Sequence, residues 1–120
     1  NYSKSIRFYN YNSVNTKLPL ILQYIQHNYR RLTLHDLAEY FHYSDAHLSS
    51  LIKKTTGTNF STMINNLKIK KAEEYLRGSN LTISDIAEHV GFNSADHFSR
   101  TFKNQHGISP KKFRSHEQME

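Results

Sequence analysis

The charged residues of this chain are distributed unevenly. No Asp or Glu occurs between Ala46 and Ala72, where Lys53, Lys54, Lys68, Lys70 and Lys71 fall. None occurs between His97 and His116, where Arg100, Lys103, Lys111, Lys112 and Arg114 fall. Sixteen Lys and Arg against ten Asp and Glu give a formal charge of +6, so a polyanionic partner is the first expectation. An arginine can donate two parallel hydrogen bonds to guanine O6 and N7, whereas lysines act mainly on phosphates, which position a protein without reading sequence.

Other chemistries find less support. The absence of cysteine excludes disulfides, thiolate catalysis and Cys-ligated metal sites. The eight histidines (His27, His35, His42, His47, His89, His97, His106, His116) form no H-E-x-x-H, and no i, i+4 pair has a third ligand in view. Serines, histidines and aspartates are present without a nucleophile elbow or a Gly-rich phosphate loop. The chain is therefore expected to be neither an enzyme nor a metal or cofactor carrier. No apolar run approaches the roughly 20 residues that span a bilayer, and no signal-peptide pattern is visible, so a cytoplasmic location is expected. A start at Asn1 suggests a piece of a longer polypeptide.

The elements that must carry these residues read as helices throughout. Residues 1–15, polar and aromatic without a period, read as a linker or the remnant of an upstream region. From Thr16 the pattern is helical, with Leu18, Leu22, Ile25 and Tyr29 recurring at three to four residues and Pro19 suited to a first turn. Further helices are expected at about 33–41, 45–56, 61–77, 82–90, 95–106 and 110–117. Gly57, Gly78, Gly91 and Gly107 punctuate the helices, and no strand pattern is found. Thr33 before Asp36 and Thr82 before Asp85 are capping-box-like starts, and the acid complements the positive helix N-terminus.

The two halves match. TLHDLAEYF (33–41) lies over TISDIAEHV (82–90), and past one extra residue, Asn93, SDAHLSSLIKKTTG (44–57) lies over SADHFSRTFKNQHG (94–107). Two copies are too few for a solenoid, so a pair of modules joined by a helix fits better. In each unit a helix of about eight residues is followed by a short turn and a helix of about twelve. Ala38 or Ala87 permits close approach. Leu34, Leu37 and Phe41, or Ile83, Ile86 and Val90, make one buried stripe. Leu48, Leu51 and Ile52, or Phe98 and Phe102, make the other. This is the helix-turn-helix plan, though a plain helical hairpin has the same core pattern. In the connector, Leu67, Ala72, Tyr75 and Leu76 read as a core stripe serving both modules. His47 and His97, at equivalent places, suggest a shared structural or phosphate-side role.

The stretch GFNSADHFSRTFKNQHGISPKKFR (91–114) resembles the signature of the AraC/XylS family of bacterial transcription regulators. LKIKKAEEYL (67–76) resembles the family's helix just upstream, and TLHDLAEYFHYSDAHLSSLIKKTTGTNF (33–60) its first helix-turn-helix. The resemblance covers about residues 16–116. It implies an all-α domain of seven helices, with two helix-turn-helix subdomains joined by a long connector helix. The first module would span 16–60, the connector 61–78 and the second module 79–117. Also implied are double-stranded DNA as partner, with recognition helices in successive major grooves, RNA polymerase as a further partner, an activator role, and an effector or dimerisation domain elsewhere in the full-length protein.

On that reading the base-reading candidates are Ala46, Ser49, Ser50, Asp96, Ser99 and Arg100. The backbone candidates are Ser44, Lys53, Lys54, Ser94, Lys103, Asn104, Lys111 and Lys112. Two departures from the family pattern stand out. His42 occupies the turn position of Gly91, where a left-handed residue other than glycine costs roughly 1–2 kcal/mol, so a strained or differently shaped turn is expected. Ala46, Ser49 and Ser50 are short, which makes the first module the weaker reader. The alternative function is a helical protein-interaction module without DNA binding. RNA binding is a third reading, which lacks the exposed aromatic platforms expected for single strands.

Overall fold

Local signals set the helix boundaries. The Oγ of Thr33 accepts a hydrogen bond from the Asp36 amide at 3.0 Å, and Thr82 does the same for Asp85 at 3.0 Å. Ser44 accepts from the His47 amide at 3.1 Å and Ser94 from the His97 amide at 3.0 Å. Each occupies one of the donors that a helix start leaves unpaired. The computed structural model describes residues 13–118, with side chains from 17 to 116. Among the described residues there are seven α-helices and no strand. They are α1 (Ser13–Asn28), α2 (Leu34–Phe41), α3 (Asp45–Thr56), α4 (Phe60–Gly78), α5 (Ile83–Val90), α6 (Ala95–His106) and α7 (Pro110–Gln118), with a single 3₁₀ turn (Tyr29–Arg31) after α1.

Two boundaries differ from the expectation. The linker expected over 1–15 falls largely on residues 1–12, which lie outside the described residues, while 13–15 is already helical. Pro19 consequently sits inside α1 and not in its first turn. Gly78 ends α4 from within the helix; a glycine costs about 1 kcal/mol relative to alanine there, which burial of the remaining stripe outweighs. The buried stripe of α1 is also turned from the one expected. Ile25 is buried as expected, but Ile21 is fully buried with it, while Leu18, Leu22 and Tyr29 are only half-buried; Ile21 and Ile25 belong to one core with Leu37 and Ile52.

Two cores result. The first joins Ile21, Ile25, Leu37, Ala38, Leu48, Leu51 and Ile52 to Phe60 and Ile64 at the start of α4. The second joins Ile69, Ala72 and Leu76 of α4 to Ile86, Ala87, Val90, Phe92, Phe98, Phe102 and Phe113. One helix thus serves both modules. Leu67 packs against the first core, and Ala72, Tyr75 and Leu76 belong to the second.

The turn between the paired helices has one shape in both copies. His42 lies in the left-handed region at φ 65, ψ 43, as Gly91 does at φ 101, ψ 18. The first turn is therefore strained and not reshaped. Gly91 carries a second constraint: an added Cβ would overlap the carbonyl oxygen of Arg30, with that residue's C and Cα atoms 2.9 Å away. Gly57 shares the positive φ but has open space around it. Gly57→Ala is expected to cost about 1–2 kcal/mol from backbone strain alone. Gly91→Ala should cost a further 1–3 kcal/mol, roughly, from overpacking. Urea denaturation of both variants checks this; equal losses would show that the Arg30 contact is not a constraint.

Candidate nucleic-acid interface

The second helix of each module presents its candidates from a rigid base. In α6, Phe98 and Phe102 are fully buried, so Asp96, Arg100, Lys103 and Asn104 are exposed. In α3, Leu48 and Ile52 are fully buried, and Ala46, Ser50, Lys53 and Lys54 are exposed. Ser49 and Ser99 sit on the flank of their helices and are half-buried, less outward than their spacing suggested. Lys111 and Lys112 are exposed in the first turn of α7, where Ser109 accepts from the Lys112 amide at 3.1 Å.

Arg100 makes no ion pair with Asp96. Its Nε donates to the Asp96 backbone carbonyl at 3.4 Å, which steadies the guanidinium along the helix. Ser44 and Ser94 are both exposed N-caps. Each hydroxyl oxygen accepts from an amide while its hydrogen stays available to a phosphate oxygen.

Two cations of the acid-free stretches turn away from solvent. Arg114 donates to four backbone carbonyls: Leu81 at 2.7 Å, Leu76 and Ser79 at 3.2 Å, and Tyr75 at 3.4 Å. It clamps the C-terminal end of α4 and the following loop. Lys68 is half-buried and donates to the Gly91 carbonyl at 2.8 Å. Lys71 pairs with Glu74 at 3.1 Å. The histidines expected to share a role do so structurally. His47 stands edge-on to Tyr43 at 5.1 Å, and His97 edge-on to Phe92 at 5.2 Å. His106 stacks on Phe102 and meets Glu73 at 2.8 Å, tying α6 to α4. Among the described residues no three metal-ligating side chains converge, and no helix is long and apolar enough to cross a membrane.

Sequence reasoning passed over Arg31. It is exposed in the 3₁₀ turn and lines a cleft of about 350 Å³ shared with Asn93, Ser94 and Ala95, at the start of α6. The signal available was the Arg30–Arg31 pair beside the Thr33 cap, in a stretch that holds no acid before Asp36 but lies outside the two stretches singled out above.

These features define a tandem helix-turn-helix protein, two modules of one design on a shared helix. A helix-turn-helix domain family model matches residues 37–116. The C-terminal domain of AraT, a response regulator from Geobacillus stearothermophilus, is 33% identical and aligns with a TM-score of 0.80 over 87% of this chain and 88% of that one. The C-terminal domain of the response regulator yesN from Fusobacterium nucleatum is also 33% identical, with a TM-score of 0.78 over 83% and 98% of the two chains. The Bacillus subtilis HTH-type transcriptional regulator YfiF is 45% identical over 84 residues, 70% of this chain and 26% of its own length. The chain belongs to the AraC-type helix-turn-helix family. It spans about a quarter of YfiF and 12% of YtdP, a second Bacillus subtilis regulator that it matches at 33% identity over 78% of the chain.

One ion pair beside the interface titrates. His35 of α2 meets Asp45, the first residue of α3, at 3.1 Å, and that bond and charge, with Glu39, raise its pKa above the usual 6.5. A raised folded value means that the pair's stabilisation is complete below about pH 6.5 and is lost as pH rises through the folded pKa. Both groups are exposed, so the effect is small. An NMR titration should find the His35 midpoint above 6.5 in the parent and lower in Asp45→Asn. An unchanged midpoint would show that the pair does not form.

Proposed function

We propose that residues 16–117 bind double-stranded DNA sequence-specifically, as the DNA-binding domain of a bacterial transcription activator. The observation that carries this reading is the duplication: two modules of one design each present an exposed second helix, α3 and α6, with lysines and no acid beyond the first turn. The description of YfiF and YtdP as transcriptional regulators supports it. Placed in successive major grooves, Arg100 and Asp96 would read bases from α6, and Ala46, Ser49 and Ser50 would read weakly from α3. Ser99 would contribute from the flank of α6. Ser44, Lys53, Lys54, Ser94, Lys103, Asn104, Lys111 and Lys112 would hold phosphates, and Arg31 joins them. The relatives' greater length supports an effector or dimerisation domain in the remainder of the protein. An activator would also contact RNA polymerase, in the cytoplasm where the DNA lies.

Lys68 and Arg114 are engaged internally, and Lys70 lies on the connector away from α3, α6 and α7 in sequence, so the cations assigned to phosphates are Lys53, Lys54, Lys103, Lys111, Lys112 and Arg31. Six such contacts give a slope of log K against log salt near −5, or about 10³-fold weaker binding at 200 mM than at 50 mM. A slope near zero in a titration series overturns DNA binding and favours the protein-interaction reading. Within the interface, Arg100→Ala should cost about 1–3 kcal/mol and relax preference at one position, whereas Lys103→Ala should weaken all sequences alike. Selection of bound duplexes from a random pool, repeated with both variants, checks the pair; equal and sequence-independent losses would reject the assignment.

The α4 helix, 19 residues long, is a rod of roughly 28 Å. With the modules' own widths, α3 and α6 come near one DNA turn apart, about 34 Å. The modules are direct repeats within one chain, so the site should be asymmetric and read by a monomer. Footprinting should give two protected major-groove patches about 10 base pairs apart on one face, the patch under Arg100 being more sequence-demanding. A palindromic site bound only by a dimer would refute this arrangement.

A further inference from the structure

The internal repeat supplies its own control for one residue. Lys17 and Lys68 hold equivalent places: the Lys17 ammonium lies 5.3 Å over the Tyr43 ring, and the Lys68 ammonium 5.2 Å over the Phe92 ring. A lysine on the turn aromatic is therefore a property of the module itself. Lys68 does more. It is half-buried where Lys17 is exposed, and it donates to the Gly91 carbonyl at 2.8 Å. The difference comes from the neighbouring module. The 3₁₀ turn of the first module closes on Gly91, so tightly that a Cβ there would overlap the Arg30 carbonyl oxygen. Arg30, Arg31, Leu32, Thr33, Lys68, Gly91 and Asn93 line one small cleft at this junction. Desolvation, and then the charge of Arg31, depress the Lys68 pKa, in keeping with an ammonium enclosed beside another cation.

The two cores share no residue, and Asn65, Asn66, Leu67 and Lys68 lie on α4 between the core positions Ile64 and Ile69. This is the stretch of α4 at which the modules could flex relative to one another. Beside it the Arg30 backbone of the first module meets Gly91 of the second, and Lys68, at the end of this stretch, holds the Gly91 carbonyl.

We infer that Lys68 is a positioning residue for two-site DNA binding: by pinning the second module's turn beside the first module's 3₁₀ turn, it fixes the angle between α3 and α6 and so the half-site spacing the protein accepts. This rests on the DNA-binding reading above for its consequence, but the joint itself can be tested without DNA.

The chain has no cysteine, so Glu39→Cys on α2 and Ser115→Cys on α7, both exposed, can carry spin labels without background. Pulsed electron–electron resonance on the labelled 120-residue chain should give one narrow distance distribution. Lys68→Met keeps the apolar stem over Phe92 and removes the donor; it should broaden the distribution with helicity unchanged. Lys68→Arg, which keeps a donor within reach of the carbonyl, should restore the narrow form. If Lys68→Met lowers helicity, Lys68→Gln, too short to reach, takes its place with the same expectation. A distribution as narrow without the ammonium as with it overturns the proposal.

The second arm uses a duplex selected from a random pool, with and without one base pair inserted between the half-sites. The parent should lose affinity on the order of tenfold on insertion, from the energy of deforming DNA to fit a fixed spacing. The Lys68→Met chain should lose markedly less. A merely structural role would weaken both duplexes alike, and equal discrimination by parent and variant overturns the proposal. If no duplex is bound at any salt concentration, the DNA reading fails, and the distance measurement alone decides the joint.

Discussion

At the end of the first helix in each module the backbone must pass through the left-handed region, and the rest of the module is arranged around that turn. The amides of His42 and Gly91 reach back to Glu39 and Glu88, and those of Tyr43 and Phe92 to the carbonyls of Ala38 and Ala87 at 2.8 and 2.9 Å. This double closure ends the helix while satisfying its last carbonyls. It also fixes where the chain goes next: the ring of Tyr43 or Phe92 is placed beside His47 or His97. From there the second helix has little freedom left. Its cap, its buried face and hence its outward face follow.

The same turn explains why the two copies are not interchangeable. In the first module the exposed His42 takes the same conformation at the cost of strain. In the second the turn lies against the Arg30 backbone, and only the lack of a side chain lets the modules approach. Glycine at 91 therefore answers two demands, and histidine at 42 meets one of them imperfectly.

A basic surface is made as much by the cations removed from it as by those left on it. Arg114 spends its donors on carbonyls at the end of α4, Lys68 on the Gly91 carbonyl, and Lys71 on Glu74. The lysines that remain outward include Lys53 and Lys54 at the end of α3, Lys103 in the last turn of α6, Lys111 and Lys112 at the start of α7, and Lys70 on α4. Favourable charge at a helix C-terminus accounts for Lys53, Lys54 and Lys103. The arrangement that stabilises the second helix in each module also leaves these lysines exposed, as the proposed phosphate contacts require.

The sequence by itself determined the helices, their caps and their pairing. Those depend on contacts within a few residues, such as Thr33 to Asp36 or Ser94 to His97, and on a period that a linear pattern displays. It also determined the outward faces of α3 and α6, because Leu48, Ile52, Phe98 and Phe102 leave few ways to orient an amphipathic helix. The tertiary structure decided what each cation does. Lys68 and Arg114 lie in acid-free stretches beside Lys70 and Lys112, and nothing local separates them. Their partners are carbonyls 23 residues away for Lys68 and 33–39 residues away for Arg114. The turned stripe of α1, with Ile21 and not Leu22 at its centre, has the same origin. Both stripes are helical in period, and only the position of α2 and α3 selects between them. Local spacing determines which face is apolar within about a residue, but burial is a property of the neighbours a side chain meets, and those neighbours come from elsewhere in the chain.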